Sequence, residues 1–177
     1  VLRAGNLKLR SGEAQAADEF SRTEGGFSRF NFDVNHVSKL SKVTQFYVFA
    51  HGQLANRNLD SSEQFYLGGA DAVRAYPQGE AGGDSGYQAT AELRYQTPVK
   101  GMSMTLFADV GEVLARKDGD TSDPHRRLAG WGIGAVYSLD RSLYARLDYA
   151  RKIKGESYRS EAEDNNGRLW LRLYKLF

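Results

Sequence analysis

The residues able to do chemistry are few, and the three histidines head them. His36, His51 and His125 lie on separate segments without the spacing of metal ligands, and the chain has no cysteine, so they read as polar strand or loop positions. Asp71, Glu80 and Asp84 gather carboxylates in one segment, yet the Asp-x-Asp-x-Asp-Gly spacing of a calcium loop is missing, which leaves an acidic loop. Glu161, Glu163 and Asp164 read as a solvated loop. Leu67-Gly68-Gly69 lacks the Gly-Lys-Ser/Thr and the following helix of a phosphate cradle. No serine sits in Gly-x-Ser-x-Gly, and no Ser/His or Asp/His group can be assembled on a shared face. The sequence points away from an enzyme, with no catalytic residue, no cofactor and no metal.

Charge removes another class. The 24 Lys and Arg stand against 22 Asp and Glu, a net charge of +2, far from the basic excess with which a nucleic-acid binder meets phosphate. No nucleic acid is expected as a partner. Mean hydropathy is -0.56, and no apolar run approaches the roughly 18 residues of a spanning helix. A membrane β-barrel survives both facts, because its strands show lipid only at every second residue while its lumen and loops are polar. Val1-Leu-Arg-Ala-Gly-Asn6 has neither the basic start nor the apolar core of a secretory signal, so the chain reads as a fragment of a longer protein.

The elements that must position any site are strands. Tyr and Phe are frequent, at 10 and 9, while Pro is rare at 3 and Gly common at 19, a mix that suits strands and tight turns. Leu143, Ala145, Leu147 and Tyr149 alternate with Arg146 and Asp148 in Ser142–Arg151. Phe30, Phe32 and Val34 oppose Arg29, Asn31, Asp33 and Asn35, and Phe46, Val48 and Ala50 oppose Gln45, Tyr47 and His51. In Gln88–Gln96, Ala89, Ala91, Leu93 and Tyr95 oppose Thr90, Glu92, Arg94 and Gln96. Met102, Met104, Leu106, Ala108 and Val110 leave Ser103, Thr105, Phe107 and Asp109 on the other face. Trp131, Ile133, Ala135, Tyr137 and Leu139 point away from Gly130, Gly132 and Gly134, which would face inward. With Val1–Arg10 and Arg168–Phe177 this makes about eight strands of bilayer-crossing length.

Short connections (Ser38–Lys42, Thr97–Gly101, Leu139–Ser142) alternate with long polar ones (Ser11–Gly26, Leu54–Gly86, Glu112–Leu128, Gly155–Gly167). Short turns on one side and long loops on the other are the habit of outer-membrane barrels. Strand alternation alone also fits a soluble barrel or sandwich. Trp131, Tyr137, Tyr149 and Trp170 fit an interfacial aromatic belt, and ordinary strand packing explains them nearly as well.

Three motifs carry a resemblance to a known family. Phe65-Tyr-Leu-Gly-Gly-Ala-Asp-Ala-Val-Arg-Ala-Tyr-Pro-Gln-Gly-Glu80 closely resembles the long conserved loop of TpsB transporters, the hemolysin and adhesin secretion proteins (ShlB/FhaC/HecB type) of two-partner secretion. The wider superfamily, which includes the BamA assembly factor, carries Val-Arg-Gly-Tyr/Phe in that loop; here it is Val73-Arg74-Ala75-Tyr76, the variant similar to the TpsB branch. Phe107-Ala-Asp109-Val-Gly111 resembles the superfamily's Phe-x-Asp-x-Gly strand. Leu169, Leu171, Leu173 and Phe177 share one parity and end on an aromatic, which resembles the terminal signal read by the barrel-assembly machinery. Lys175 interrupts that row.

The resemblance implies an all-β, antiparallel transmembrane β-barrel, with residues 1–177 supplying about eight strands as the C-terminal half of a sixteen-stranded barrel. The N-terminal half and the periplasmic POTRA domains are expected to lie outside this stretch. It implies that the loop of about residues 55–86 folds into the lumen and that Arg74 meets Asp109 there. Gly68, Gly69, Val73, Arg74, Ala75, Tyr76 and Pro77 form the expected loop site, and Phe107, Asp109 and Gly111 the wall site. The implied function is a pore in the Gram-negative outer membrane, long loops outside, that translocates a large TpsA-type exoprotein without nucleotide hydrolysis. Implied partners are that exoprotein, outer-membrane lipid and the assembly machinery. The alternatives are an assembly factor of the same superfamily, against which Ala75 argues, and a diffusion porin.

Overall fold

A computed structural model describes residues 1–115, 125–140, 142–153 and 166–176. In chain order its elements are β1 (Leu2–Leu7), α1 (Gly12–Ser21), β2 (Gly25–Lys39), β3 (Thr44–Ala55), β4 (Phe65–Leu67), β5 (Ala81–Gly83), β6 (Ser85–Gln96), β7 (Met102–Leu114), β8 (His125–Ser138), β9 (Leu143–Lys152) and β10 (Gly167–Lys175). Eight of the strands form one sheet in the order β1-β2-β3-β6-β7-β8-β9-β10, and β4 pairs only with β5. Every pairing is antiparallel. The order follows the chain because each strand returns beside its predecessor, the simplest outcome of hairpin connections.

The two faces differ completely. Phe46, Leu93, Leu106, Ile133, Tyr149 and Leu169 sit opposite one another across six successive strands. All six are exposed, from 37% at Phe46 to 63% at Leu169. A sandwich would cover this face with a second sheet; among the described residues nothing lies on it. A continuous apolar face of this extent is costly in water and favourable against lipid. No helix among the described residues is long and apolar enough to cross a membrane, so any crossing is made by strands.

The opposite face, called inner here, is covered by the segment that leaves β3 and returns through β6. Its apolar residues Phe65, Leu67, Val73, Ala75, Tyr76 and Ala81 meet Phe107, Val113, Leu128 and Ala150 of the sheet in one buried cluster. The molecule's apolar core is therefore the contact between an inserted loop and the inner wall.

The strands and short turns lie near their expected bounds, but the long connections hold more structure. Ser11–Gly26 was expected to be loop; α1 occupies most of it. The Ser11 hydroxyl caps α1 by accepting the Ala14 N–H at 3.2 Å, and Glu13 through Glu19 is a run of good helix formers apart from Asp18. Arg22 then stops the helix at φ 53°. Asp18 fastens this end, accepting from the Thr23 hydroxyl at 2.5 Å and from the N–H groups of Thr23 and Glu24 at 2.7 and 2.9 Å. Glu161, Glu163, Asp164 and Phe177 lie outside the described residues.

Two outcomes follow from these faces. Leu106→Arg on the apolar face is expected to weaken folding of the sheet into a bilayer by about 2 to 4 kcal/mol, the cost of an arginine near the bilayer centre, measured by denaturant titration of the full-length protein in vesicles. The hydrogen bond from Thr23, with those from the Glu24 N–H, the Thr23 N–H and Ser21, holds the Asp18 carboxyl below the usual carboxylate range despite some opposing desolvation. A depressed folded pKa gives stability that is present at neutral pH and is lost as pH falls through the folded value. Amide protection at Thr23 and Glu24 should thus persist below the ordinary carboxylate range and fail only in stronger acid, whereas Asp18→Asn should lower it at neutral pH.

Candidate functional site

The loop can enter the barrel because its backbone turns where only glycine is comfortable. Gly68 and Gly69 have φ of 85° and 116°, and a Cβ on Gly68 would overlap the Pro77 carbonyl oxygen. The turn closes on itself: the Gly69 N–H donates to the Tyr76 carbonyl and the Tyr76 N–H to the Val73 carbonyl, both at 3.1 Å. Val73, Arg74, Ala75 and Tyr76, each no more than 3% exposed, are thereby presented to the wall as one compact tip.

The wall is shaped to receive it. Gly111 lies under Leu67, which comes within 2.6 Å of where a Cβ would stand. Gly130 lies under Ala75, whose methyl is 2.5 Å from the equivalent point. The Phe107 ring covers Gly132, its partner across the ladder, and the Asp148 carboxylate fills the space beside Gly134. The alternate glycines of β8 thus form a trough that loop and neighbours fill.

Arg74 is the centre of the contact. Its Nε donates to Asp109 Oδ2 at 2.8 Å and its Nη2 to Oδ1 at 2.7 Å, a two-pronged fork, while its own backbone N–H reaches Oδ2 at 3.1 Å. Nη1 donates to Glu92 Oε1 at 2.8 Å and lies 3.8 Å from Asp148 Oδ1. The guanidinium carbon stands 3.3 Å from the centre of the Phe107 ring, where stacking adds to the attraction. Burial opposes the charge on Arg74, but the hydrogen bonds and charge of Asp109, with the charge of Glu92, more than offset it and raise its pKa.

Around this pair is a larger network that the sequence alone did not single out. Thr90 donates to Asp109 Oδ1 at 2.9 Å. Arg146 spans Glu92 Oε1 at 3.0 Å and Asp148 Oδ2 at 2.7 Å. Arg94 holds Glu92 Oε2 at 2.8 Å and stacks on Tyr47. Arg172 of β10 donates to Asp148 Oδ2 at 2.8 Å and to Asp71 of the loop. The signal for these residues was parity: Glu92, Arg94, Arg146 and Asp148 were all placed opposite an apolar row. Which of them converge depends on the ladder, which no single strand reveals.

Of the two readings open for Trp170, the interfacial belt fails. It lies on the inner parity and its indole Nε1 donates to the Arg74 carbonyl at 2.8 Å. Trp131, Tyr137 and Tyr149 are on the outer face, 46%, 48% and 44% exposed. Leu169, Leu171 and Leu173 also point outward. The histidines stay apart, His51 on Asp33 at 2.6 Å, His125 on Glu112 at 2.8 Å and His36 on Ser38 at 2.7 Å. Asp84 is a buried acceptor for the Leu59 N–H at 2.9 Å, and among the described residues no group of His, Asp or Glu is arranged to hold a metal ion.

An antiparallel sheet with an apolar outer face and a basic loop tip docked on its inner wall defines the class, an outer-membrane β-barrel with an inserted loop. The model of the haemolysin secretion/activation proteins ShlB/FhaC/HecB matches residues 6–137. The chain belongs to that family, whose members are transporters of the Gram-negative outer membrane and not enzymes. It is 32% identical over 111 residues to the heme/hemopexin transporter protein HuxB of two Haemophilus influenzae strains, a match covering 60% of this chain and 20% of each relative. CdiB from Acinetobacter baumannii has a similar fold, with a TM-score of 0.65 and 20% identity over 86% of this chain and 27% of that one. The chain spans about a fifth of the length of the curated relatives it matches.

Gly130→Ala tests the trough. The added methyl would meet the Ala75 side chain, so hydrogen exchange at the Tyr76 amide should rise about tenfold or more, as for a loss of roughly 1.4 kcal/mol or more in docking. Exchange in the outer part of the β6–β7 ladder should be unchanged.

Proposed function

We propose that this chain is the wall and lumenal loop of an outer-membrane pore through which a secreted partner protein passes to the cell surface, and that Arg74 on Asp109 is the latch of its resting state. The observation that carries this is the buried fork of Arg74 on Asp109, which ties a mobile kind of element, a loop, to a rigid one, a barrel strand. A diffusion porin has no need of such a tie. Two further supports are the family's printed description as secretion proteins and the relative described as a heme/hemopexin transporter.

In this proposal Gly68, Gly69 and Pro77 shape the turn, Val73, Ala75 and Tyr76 seat it, and Phe107, Asp109 and Gly111 receive it. Leu169, Leu171 and Leu173 of β10, with the residue Phe177 in sequence after it, carry the signal recognised during insertion. The eight strands belong to a larger barrel: β1 and β10 pair on one side only among the described residues, and the relatives are several times longer. The remaining strands and the domains that bind the exoprotein would come from that additional length. Passage is of an extended chain and needs no hydrolysis at this membrane.

The test is partner secretion by the full-length transporter carrying Arg74→Ala, Asp109→Ala or both. Breaking one side of a buried pair commonly costs about 3 to 5 kcal/mol because the remaining charge is stranded, so each single variant should disturb the loop strongly, with the double no worse than the singles. Secretion should collapse while heat-modifiable gel mobility reports normal insertion. Secretion at the parental level in all three would sink the latch.

A further inference from the structure

We infer that Trp170 and Arg172, on the last strand β10, are positioning residues that clasp the inserted loop from the side opposite Asp109. Arg74 is gripped twice. Its guanidinium and N–H are taken by Asp109 of β7, and its carbonyl is taken by the Trp170 indole N–H at 2.8 Å. Between those strands in the sheet order stand β8 and β9, and β8 offers glycines under the loop. The tip therefore bridges from β7 to β10 across the β8 trough, where Gly130 lies under Ala75.

Arg172 adds a second point of attachment two residues along the same face. One of its nitrogens meets Asp71, three residues before Arg74 in the loop, and the other holds Asp148 at 2.8 Å. Asp148 is itself the ladder partner of Trp170, and Arg146 that of Arg172, so the clasp is continuous with the charge network under Arg74. A displacement of β10 would loosen both contacts together. The inference rests on the proposal that this loop controls the pore.

The test uses the full-length transporter in planar bilayers and proteoliposomes, with no secreted partner. Trp170→Phe keeps an aromatic ring and removes the N–H; Arg172→Gln removes the charge and Arg172→Lys retains it. Loop release is read as channel opening frequency and as the rate at which a membrane-impermeant maleimide labels Ala72→Cys. Trp170→Phe and Arg172→Gln should each raise both readouts about fivefold to tenfold, the range expected for one lost hydrogen bond in a confined site. Arg172→Lys should stay near the parent, and gel mobility should be unchanged throughout. Parental rates in the Trp170→Phe/Arg172→Gln double variant would overturn the clasp, as would equal effects of Lys and Gln at position 172. If Arg172→Gln does not insert, Trp170→Phe alone decides, and an unchanged rate there also overturns it. Secretion enters neither readout, so failure of the clasp and failure of the secretory function are separately visible.

Discussion

A guanidinium removed from water must find acceptors for its donors and counter-charge for its cation, and that requirement at Arg74 organises the inner half of this molecule. Three carboxylates, Asp109, Glu92 and Asp148, come from three different strands to meet it. Three carboxylates around one arginine would be in excess, and Arg94, Arg146 and Arg172 enter to balance them. Phe107 and the glycines of β8 then provide the close approach without which the fork could not form. The apolar contacts of Leu67, Val73, Ala75 and Tyr76 add burial but no direction; the fork sets the register of loop on wall.

The same sheet answers to two solvents. From β3 through β10 in the large sheet one parity contributes to an outward apolar surface, broken at Lys175, and the other carries the polar and charged groups that would be intolerable on the first, beside the apolar seat of the loop. Period-two geometry makes this division automatic once the ladder register is set, and a slip by one residue would exchange the two sets entirely. That is why the pairing of Phe107 with Gly132 and of Thr90 with Asp109 matters beyond its own contacts.

Much of this was legible in the sequence for the same reason. Alternation in Gln88–Gln96, Met102–Gly111 and Ser142–Arg151 is a local property, so the strands, their faces and the inward glycines could be read directly. The helix α1 was passed over because Ser11–Gly26 looked polar throughout, although Ser11 as cap and the Ala-rich run after it were present. For Trp170 an interfacial belt and ordinary strand packing stay open until its parity is counted from Leu169 and Leu171, which sets it on the inner face. Convergence was the least legible property. Glu92, Arg146 and Arg172 stand 54 and 26 residues apart along the chain, differences of their own numbers, and only the ladder order brings them to one place.

The network also has a property that belongs to none of its members. Asp71, Glu92, Asp109 and Asp148 are matched by Arg74, Arg94, Arg146 and Arg172, so its formal charges sum to zero within a few ångströms. The field of such a compensated cluster fades with distance much faster than that of a lone ion. Beside it lies a cavity of about 440 Å³ bordered by Tyr47, Phe49, His51 and Asp33 as well as by Asp71, Glu92 and the four arginines. If the proposed passage runs through that space, a heteropolymer would meet there little sustained attraction or repulsion for either sign of charge from this network, a wall strongly held within itself and nearly mute to what passes.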